Sequence, residues 1–259
     1  MNQIAKDWID YEVLDTGNRE KLERWNDVIL RRPDPVAIWP IENDAQWNKA
    51  DAFYHRSNQG GGHWEFKKPL KEFWTIQYKD LRFKISPTGF KHTGAYTGGA
   101  TMACSKAGAE EVVHVDASKG INEWAKENMR LNHLEDHKIR FIVDDVMKFI
   151  QREIRRGRKY DGIVMDPPSY GRGPKNEVWK LENSLYELVH EASKLLSDDP
   201  LFLIVNCYTT GFSLCTLDEV MKRAIIQPGT IEVGENLLPV TNQNGILPCG
   251  IFGRWTPKK

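Results

Sequence analysis

A chain of 259 residues with 36 Lys+Arg against 36 Asp+Glu can bury a core large enough to be stable alone, and its zero formal charge argues against attraction of nucleic acid by the whole surface, so that any RNA contact would be local and helped by shape. The four cysteines, Cys104, Cys207, Cys215 and Cys249, are widely spaced with no CxxC pair, which indicates neither a zinc site nor a disulfide framework and fits a reduced, cytoplasmic setting. No stretch approaches the roughly 18 consecutive apolar residues of a membrane span, and the first residues carry no apolar signal region, so a soluble protein is expected.

Tyr11 to Gly17 reads as a strand and turn, Glu20 to Leu30 as a short amphipathic helix, and Arg31-Arg32-Pro33-Asp34-Pro35 as its break. From Phe53 to Lys91 the pattern changes to short alternating runs. Residues 52–56, 64–66, 74–78 and 81–85 have the period of antiparallel β, with Lys79-Asp80 as a hairpin turn. After about residue 94, strands alternate with helices, which predicts βαβ units and a mostly parallel sheet. The predicted strands are 111–115, 139–143, 162–165 and 201–206. The predicted helices run from the cap Ser118 to about Leu131, from Asp145 to about Arg156, over Val178 to Leu196, and from about Leu217 to Ile226. Thr230–Leu237 and Ile246–Trp255 read as closing strands, antiparallel because little more than a turn separates them.

The chain is organised around Asp166-Pro167-Pro168-Ser169-Tyr170, which follows the apolar strand 162–165. Open α/β sheets place their chemistry at the C-terminal ends of strands. Each proline fixes φ, and the residue before a proline is pushed to extended geometry, so Asp166 and Pro167 are held stiffly with carbonyls and a carboxylate outward. Two further acids end strands: Asp116, and Asp145 in the pair Asp144-Asp145. The turn Ala95-Tyr96-Thr97-Gly98-Gly99-Ala100 opens a helix about twenty residues before Asp116. Glycines let backbone approach a ligand, and an acid ending the second strand can accept both hydroxyls of a ribose. This ordered succession describes an adenosine-bearing ligand laid along one sheet edge.

The chain resembles class I S-adenosylmethionine-dependent methyltransferases, and more narrowly the bacterial large-subunit (23S) ribosomal RNA family that modifies cytosine C5 or guanine N7. The matching residues are Phe90-Lys91-His92-Thr93-Gly94, Ala95 to Gly99, Val115-Asp116-Ala117-Ser118 followed by Asn128 and Leu131-Asn132, Asp144-Asp145-Val146, and Asp166 to Tyr170. The resemblance implies an α/β fold: a Rossmann-like seven-stranded methyltransferase sheet over 91–259, with a small β-rich region on the substrate side over 1–90. It implies S-adenosyl-L-methionine as cofactor, with Lys91, Thr93 and Tyr96 among the residues that bind it and Thr97, Gly98 and Gly99 lining its amino-acid end. Asp116 with Ala117 and Ser118 would take the ribose, and Asp145 with Asp144 the adenine amine. Asp166, which would also bind the cofactor, would flank the methyl group with Pro167 and Pro168, and Tyr170 would join them in the catalytic site.

One departure is large. Gly94 runs directly into Ala95, and no apolar run precedes the glycine turn to form the family's first strand. Either on the order of 20 to 35 residues are missing from the sequence at this junction, or the protein is a natural deletion that should not bind cofactor normally; about 10 residues is the minimum for a strand and its entry loop.

Methyl transfer from a sulfonium is an in-line displacement, so the enzyme mainly positions the acceptor and dries the site. A cytosine C5 acceptor needs a thiolate, and Cys207 stands where the family's C5 enzymes carry theirs, although it reads equally as a buried cysteine at a strand end. A nitrogen acceptor could be oriented by Asp166 and the Pro167 carbonyl, with Tyr170 stacking on the base. Ribosomal RNA is the expected partner. Trp64, Phe66, Lys67, Lys68 and Lys71 are candidates to face it, whereas Arg152, Arg155, Arg156, Arg158 and Lys159 read as a solvated helix end. His55, His63 and His92 show no ligand spacing, so no metal is expected. The rival readings are an enzyme of the same fold acting on a small molecule or protein, and a non-catalytic RNA-binding module.

Overall fold

Period-two alternation and paired turn residues build the first third of the chain, and apolar runs between capped helices build the rest. The computed structural model describes residues 1–42, 44–57, 61–87, 97–172, 178–242 and 244–258. In chain order the elements are β1 (Gln3–Ile4), β2 (Tyr11–Gly17), β3 (Glu20–Trp25), β4 (Val28–Pro33), α1 (Asp44–Trp47), β5 (Ala52–Arg56), β6 (Gly62–Phe66), β7 (Trp74–Tyr78), β8 (Leu81–Ile85), α2 (Gly99–Lys106), β9 (Val112–Asp116), α3 (Lys119–Leu131), β10 (Ile139–Val143) and α4 (Val146–Arg155). They continue with β11 (Gly162–Met165), β12 (Tyr170–Arg172), β13 (Val178–Lys180), α5 (Leu181–Ser193), β14 (Phe202–Cys207), α6 (Leu214–Ala224), β15 (Gly229–Val240) and β16 (Gly245–Pro257).

Two units partition the chain. One comprises Ala5–Val143 and Leu238–Leu247. In it β2, β3 and β4 form consecutive antiparallel pairs, β5 joins β4 in parallel, β6 joins β5, and Val240 pairs with Val13 of β2. Asn18 and Arg19 both adopt positive φ between β2 and β3, as a tight hairpin turn requires. Tyr11, Val13, Trp25, Leu30, Trp74 and Ile76 belong to its buried core.

The stretch 20–30 is not a helix. It forms β3 and the start of β4, joined through Asn26 at φ 55. The reason is visible in β3, where Leu22 and the adjacent Glu23 are both buried. A charged residue facing the core hides the alternation. Glu23 is held by Arg32 at 2.6 Å, by Lys21 at 3.5 Å and by the Tyr11 hydroxyl at 2.6 Å. Burial alone would raise its pKa, but the Arg32 and Lys21 charges, with hydrogen bonds from Arg32 and Tyr11, hold it down at about 2.

The same unit contains the hairpin β7–β8, whose register runs from Trp74↔Ile85 to Tyr78↔Leu81 through Lys79 at φ 52. In an antiparallel strand each residue points its N–H and C=O to one edge, and successive residues alternate edges. Arg82 and Lys84 therefore share an edge of β8, and helix α3 satisfies it with side chains. Asn132 accepts from the Arg82 N–H at 2.9 Å and donates to the Arg82 carbonyl at 2.7 Å. Asn128 accepts from the Lys84 N–H at 2.7 Å, and the Trp124 indole donates to the Lys84 carbonyl at 2.9 Å. Trp124, Asn128 and Asn132 are four residues apart and so line one helix face. Three side chains stand in for a neighbouring strand.

The other unit comprises Met1–Ile4, Asp144–Leu237 and Pro248–Lys259. Here β11 and β14 run parallel, β16 is antiparallel to β14, β15 is the next strand, and β1 pairs with it in parallel. Leu181, Leu185, Leu188, Val189 and Ala192 form the buried stripe of α5, and Leu217, Met221 and Ala224 that of α6. Val178, placed in a helix by its spacing, lies instead in β13, and α5 starts at Leu181.

After residue 94 the described strands are β9 to β16, of which β12 and β13 form a separate short hairpin. β9 pairs in parallel with β10, from Val112↔Ile139 to Asp116↔Val143. Among the described residues no strand pairs the second edge of β9, and none pairs the second edge of β11. The Gly94-Ala95 junction itself lies outside the described residues. Among the described residues no helix is long and apolar enough to cross a membrane.

Candidate functional site

In the first unit the candidates sit at the N-terminal ends of α2 and α3. Gly98 adopts φ 80, ψ 24 and opens α2 without a side-chain cap. A Cβ at Gly98 would lie 2.9 Å from that of Ala125 on α3, so glycine is required both by backbone conformation and by close approach. Asn128 donates from Nδ2 to the carbonyl of the buried Thr97 at 2.9 Å. Asp116 ends β9, and its Oδ1 accepts the Ser118 N–H at 2.7 Å. Ser118 caps α3 by accepting from the Ile121 N–H at 3.3 Å. Ala117 is exposed between them. One further pair was not anticipated: Thr101 Oγ1 lies 2.9 Å from Nδ1 of His114 in β9. Burial, opposed by the Asp116 charge, lowers the pKa of His114 and favours neutral imidazole. Lys91, Thr93 and Tyr96 lie outside the described residues.

In the second unit the acids at the end of β10 are partly committed. Asp144 accepts the Asp145 N–H at 2.9 Å and pairs with Arg152. Asp145 caps α4 by accepting the Lys148 N–H at 3.0 Å, and its side chain is exposed. The Asp-Pro-Pro segment leaves β11 as expected and is then stapled in place. The Trp179 indole donates to the Pro168 carbonyl at 2.7 Å, Thr209 donates to Ser169 Oγ at 2.7 Å, and the Leu181 N–H donates to the Ser169 carbonyl at 3.1 Å. Tyr170 pairs with Lys180 in the β12–β13 ladder and is half exposed. The Pro168 carbonyl is thus occupied by Trp179. Neither Trp179 nor Thr209 carries a sequence signal that ties it to this loop.

Asp166 and Cys207 differ sharply in accessibility. The Asp166 residue is open to solvent, yet protein crowds its carboxyl, and desolvation pushes its pKa up to about 6. Cys207 ends β14 almost fully buried; burial, reinforced by the Asp166 charge, pushes its thiol up to about 12. Cys104 is half buried, and burial raises its thiol too. Among the described residues no three His, Cys, Asp or Glu side chains gather as metal ligands.

Taken separately, the left-handed glycine turn that opens α2, the parallel strands of each unit with acids at their ends, and the rigid Asp-Pro-Pro exit from β11 are features of α/β folds that bind nucleotide-type cofactors. The chain belongs to the S-adenosylmethionine-dependent methyltransferases, whose sequence model matches residues 89–198. A crystal structure of a SAM-dependent methyltransferase from Agrobacterium tumefaciens superposes with a TM-score of 0.92 and 33% identity, covering 100% of this chain and 94% of that one. Ribosomal RNA large subunit methyltransferase K of Neisseria meningitidis is 26% identical over 224 residues, 73% of this chain and 63% of the relative. Ribosomal RNA large subunit methyltransferase I of Escherichia coli is 32% identical over 143 residues, 55% of this chain and 34% of the relative. The chain therefore spans between about a third and two thirds of those curated relatives.

Proposed function

We propose that this chain binds S-adenosylmethionine and methylates a base in large-subunit ribosomal RNA, with a base nitrogen as acceptor. The observation that carries the reading is the stapled Asp166-Pro167-Pro168-Ser169-Tyr170 exit from β11, in a chain of this family whose relatives include two named for ribosomal RNA. The residues present fit the cofactor: α2 begins uncapped behind a left-handed Gly98 that no side chain could replace without meeting Ala125, which suits a carboxylate at a helix N-terminus. Thr97, Gly98 and Gly99 would hold the amino-acid end, Asp116 the ribose, and Asp145 the adenine amine. When bound, the cofactor supplies an electrophilic methyl carbon on a sulfonium.

The chain's own residues then have separate tasks. Pro167 and Pro168 fix the backbone, so Asp166 meets the acceptor without reorganising. With its pKa at about 6, Asp166 is ionised at neutral pH and can accept a hydrogen bond or proton from an amino or ring N–H. Tyr170, half exposed, offers a face on which a flipped base can stack. A carbon acceptor is the weaker choice, because it needs a thiolate and the Cys207 thiol is held at about 12.

The test is transfer of label from methyl-tritiated S-adenosylmethionine to purified large-subunit ribosomal RNA. Label in a single nucleotide supports the reading; label in protein or small molecules with none in RNA overturns the substrate. The unpaired second edges of β9 and β11 among the described residues favour one rival, a non-catalytic RNA binder. RNA binding without label transfer or cofactor affinity would establish it.

A further inference from the structure

We infer that Asn128 is the positioning residue for the cofactor-binding turn, a role that rests on the proposed S-adenosylmethionine site and goes beyond it. Asn128 is fully buried and uses both ends of its amide. Its Oδ1 accepts the Lys84 N–H at 2.7 Å, and its Nδ2 donates to the Thr97 carbonyl at 2.9 Å. Its neighbour one turn on, Asn132, spends its amide on Arg82 and on the Asn128 carbonyl. Trp124, one turn back, bonds Lys84. Of these three ladder residues, Asn128 is the one that also grips the glycine turn.

The grip has a directional consequence. In a trans peptide the carbonyl and the following N–H point to opposite sides of the chain. Holding the Thr97 carbonyl toward α3 therefore aims the Gly98 N–H away from α3. The left-handed φ of 80 at Gly98 then carries the chain into α2, where the Gly98 carbonyl accepts the Met102 N–H at 3.0 Å. A free turn of glycines would sample many orientations. Asn128 selects one, and it ties that choice to the edge of β8.

The experiment is calorimetric titration of the full 259-residue chain with S-adenosylhomocysteine, comparing wild type, Asn128→Asp and Asn132→Ala. The carboxylate that Asn128→Asp introduces can still accept from Lys84 when ionised but opposes the Thr97 carbonyl; protonated, it regains a donor. Asn128→Asp is expected to bind at least about tenfold more weakly than wild type at pH 8, with the ratio shrinking toward one at pH 5.5. Asn132→Ala should lower the thermal midpoint yet keep wild-type affinity, because it loosens β8 without releasing Thr97. A purely structural role moves both variants alike and shows no recovery with pH. Affinity of Asn128→Asp within twofold of wild type at pH 8, or an equal loss in Asn132→Ala, overturns the inference. Should Asn128→Asp not fold, amide exchange on wild type decides. Slower exchange at the Lys84 N–H but not at the Arg82 N–H on adding S-adenosylhomocysteine supports the coupling, and no change at Lys84 refutes it. Failure of wild type to bind S-adenosylhomocysteine would instead remove the cofactor reading beneath it.

Discussion

Two carboxylates, one in each unit, are taken out of water with opposite results. Glu23 is fully buried in β3, and Arg32, Lys21 and Tyr11 close around it until it is a strong acid at about 2. Asp166 leaves β11 with no cation among the causes of its shift, so desolvation alone lifts it to about 6. Desolvation pushes both upward; the partner set decides the sign. A carboxylate surrounded by cations is locked as an anion and serves the fold. One left without them stays close to exchanging its proton at neutral pH, which suits a reaction.

The sharpest way to break this contrast is Glu23→Ala. It leaves the buried Arg32 guanidinium without this carboxylate, and we expect a loss of about 3–5 kcal/mol in urea unfolding; a loss under about 1 kcal/mol would mean that water replaces the pair. Asp166→Asn keeps the shape of the exit loop and removes its basicity, so turnover should fall about 100-fold or more while affinity for S-adenosylhomocysteine stays near wild type. Equal losses in both would make Asp166 a structural residue like Glu23.

The pH dependence separates the two groups without mutation. Turnover should drop as pH falls through about 6, where Asp166 takes up its proton. The stability that Glu23 contributes is fully present above its unfolded value of 4.5 and is lost as pH falls from there toward about 2. A single common transition in activity and stability would refute separate roles. The smallest expected effect is that of Cys207→Ser, which should keep turnover within about twofold, because a thiol held at about 12 supplies almost no thiolate at neutral pH. Loss of all activity in that variant would restore the carbon acceptor.

Legibility followed burial chemistry. Strands 139–143 and 162–165 were readable to the residue because they are apolar runs between turn residues, and the caps Ser118 and Asp145 mark their helices by residue type. Residues 20–30 misled because Glu23 faces inward, a placement that a pattern of polar and apolar residues does not encode until Arg32 is known to lie beside it. Acids at strand ends were likewise legible as candidates. The occupation of the Pro168 carbonyl by Trp179 was not, since the two residues are eleven apart and meet through the β12–β13 ladder.

By itself the sequence determined the alternation of strands and helices, the glycine turn, the acids at strand ends and the absence of an apolar run before Ala95, because each is written in local residue type and period. The tertiary structure decided which groups are spoken for. It gave Asn128 to both Lys84 and Thr97, closed cations around Glu23, buried the Cys207 thiol and left Asp166 to desolvation alone. A hydrogen bond or an acidity constant depends on what lies a few ångströms away in space, and residues 84, 97 and 128 become neighbours only when β8 and the glycine turn dock on α3.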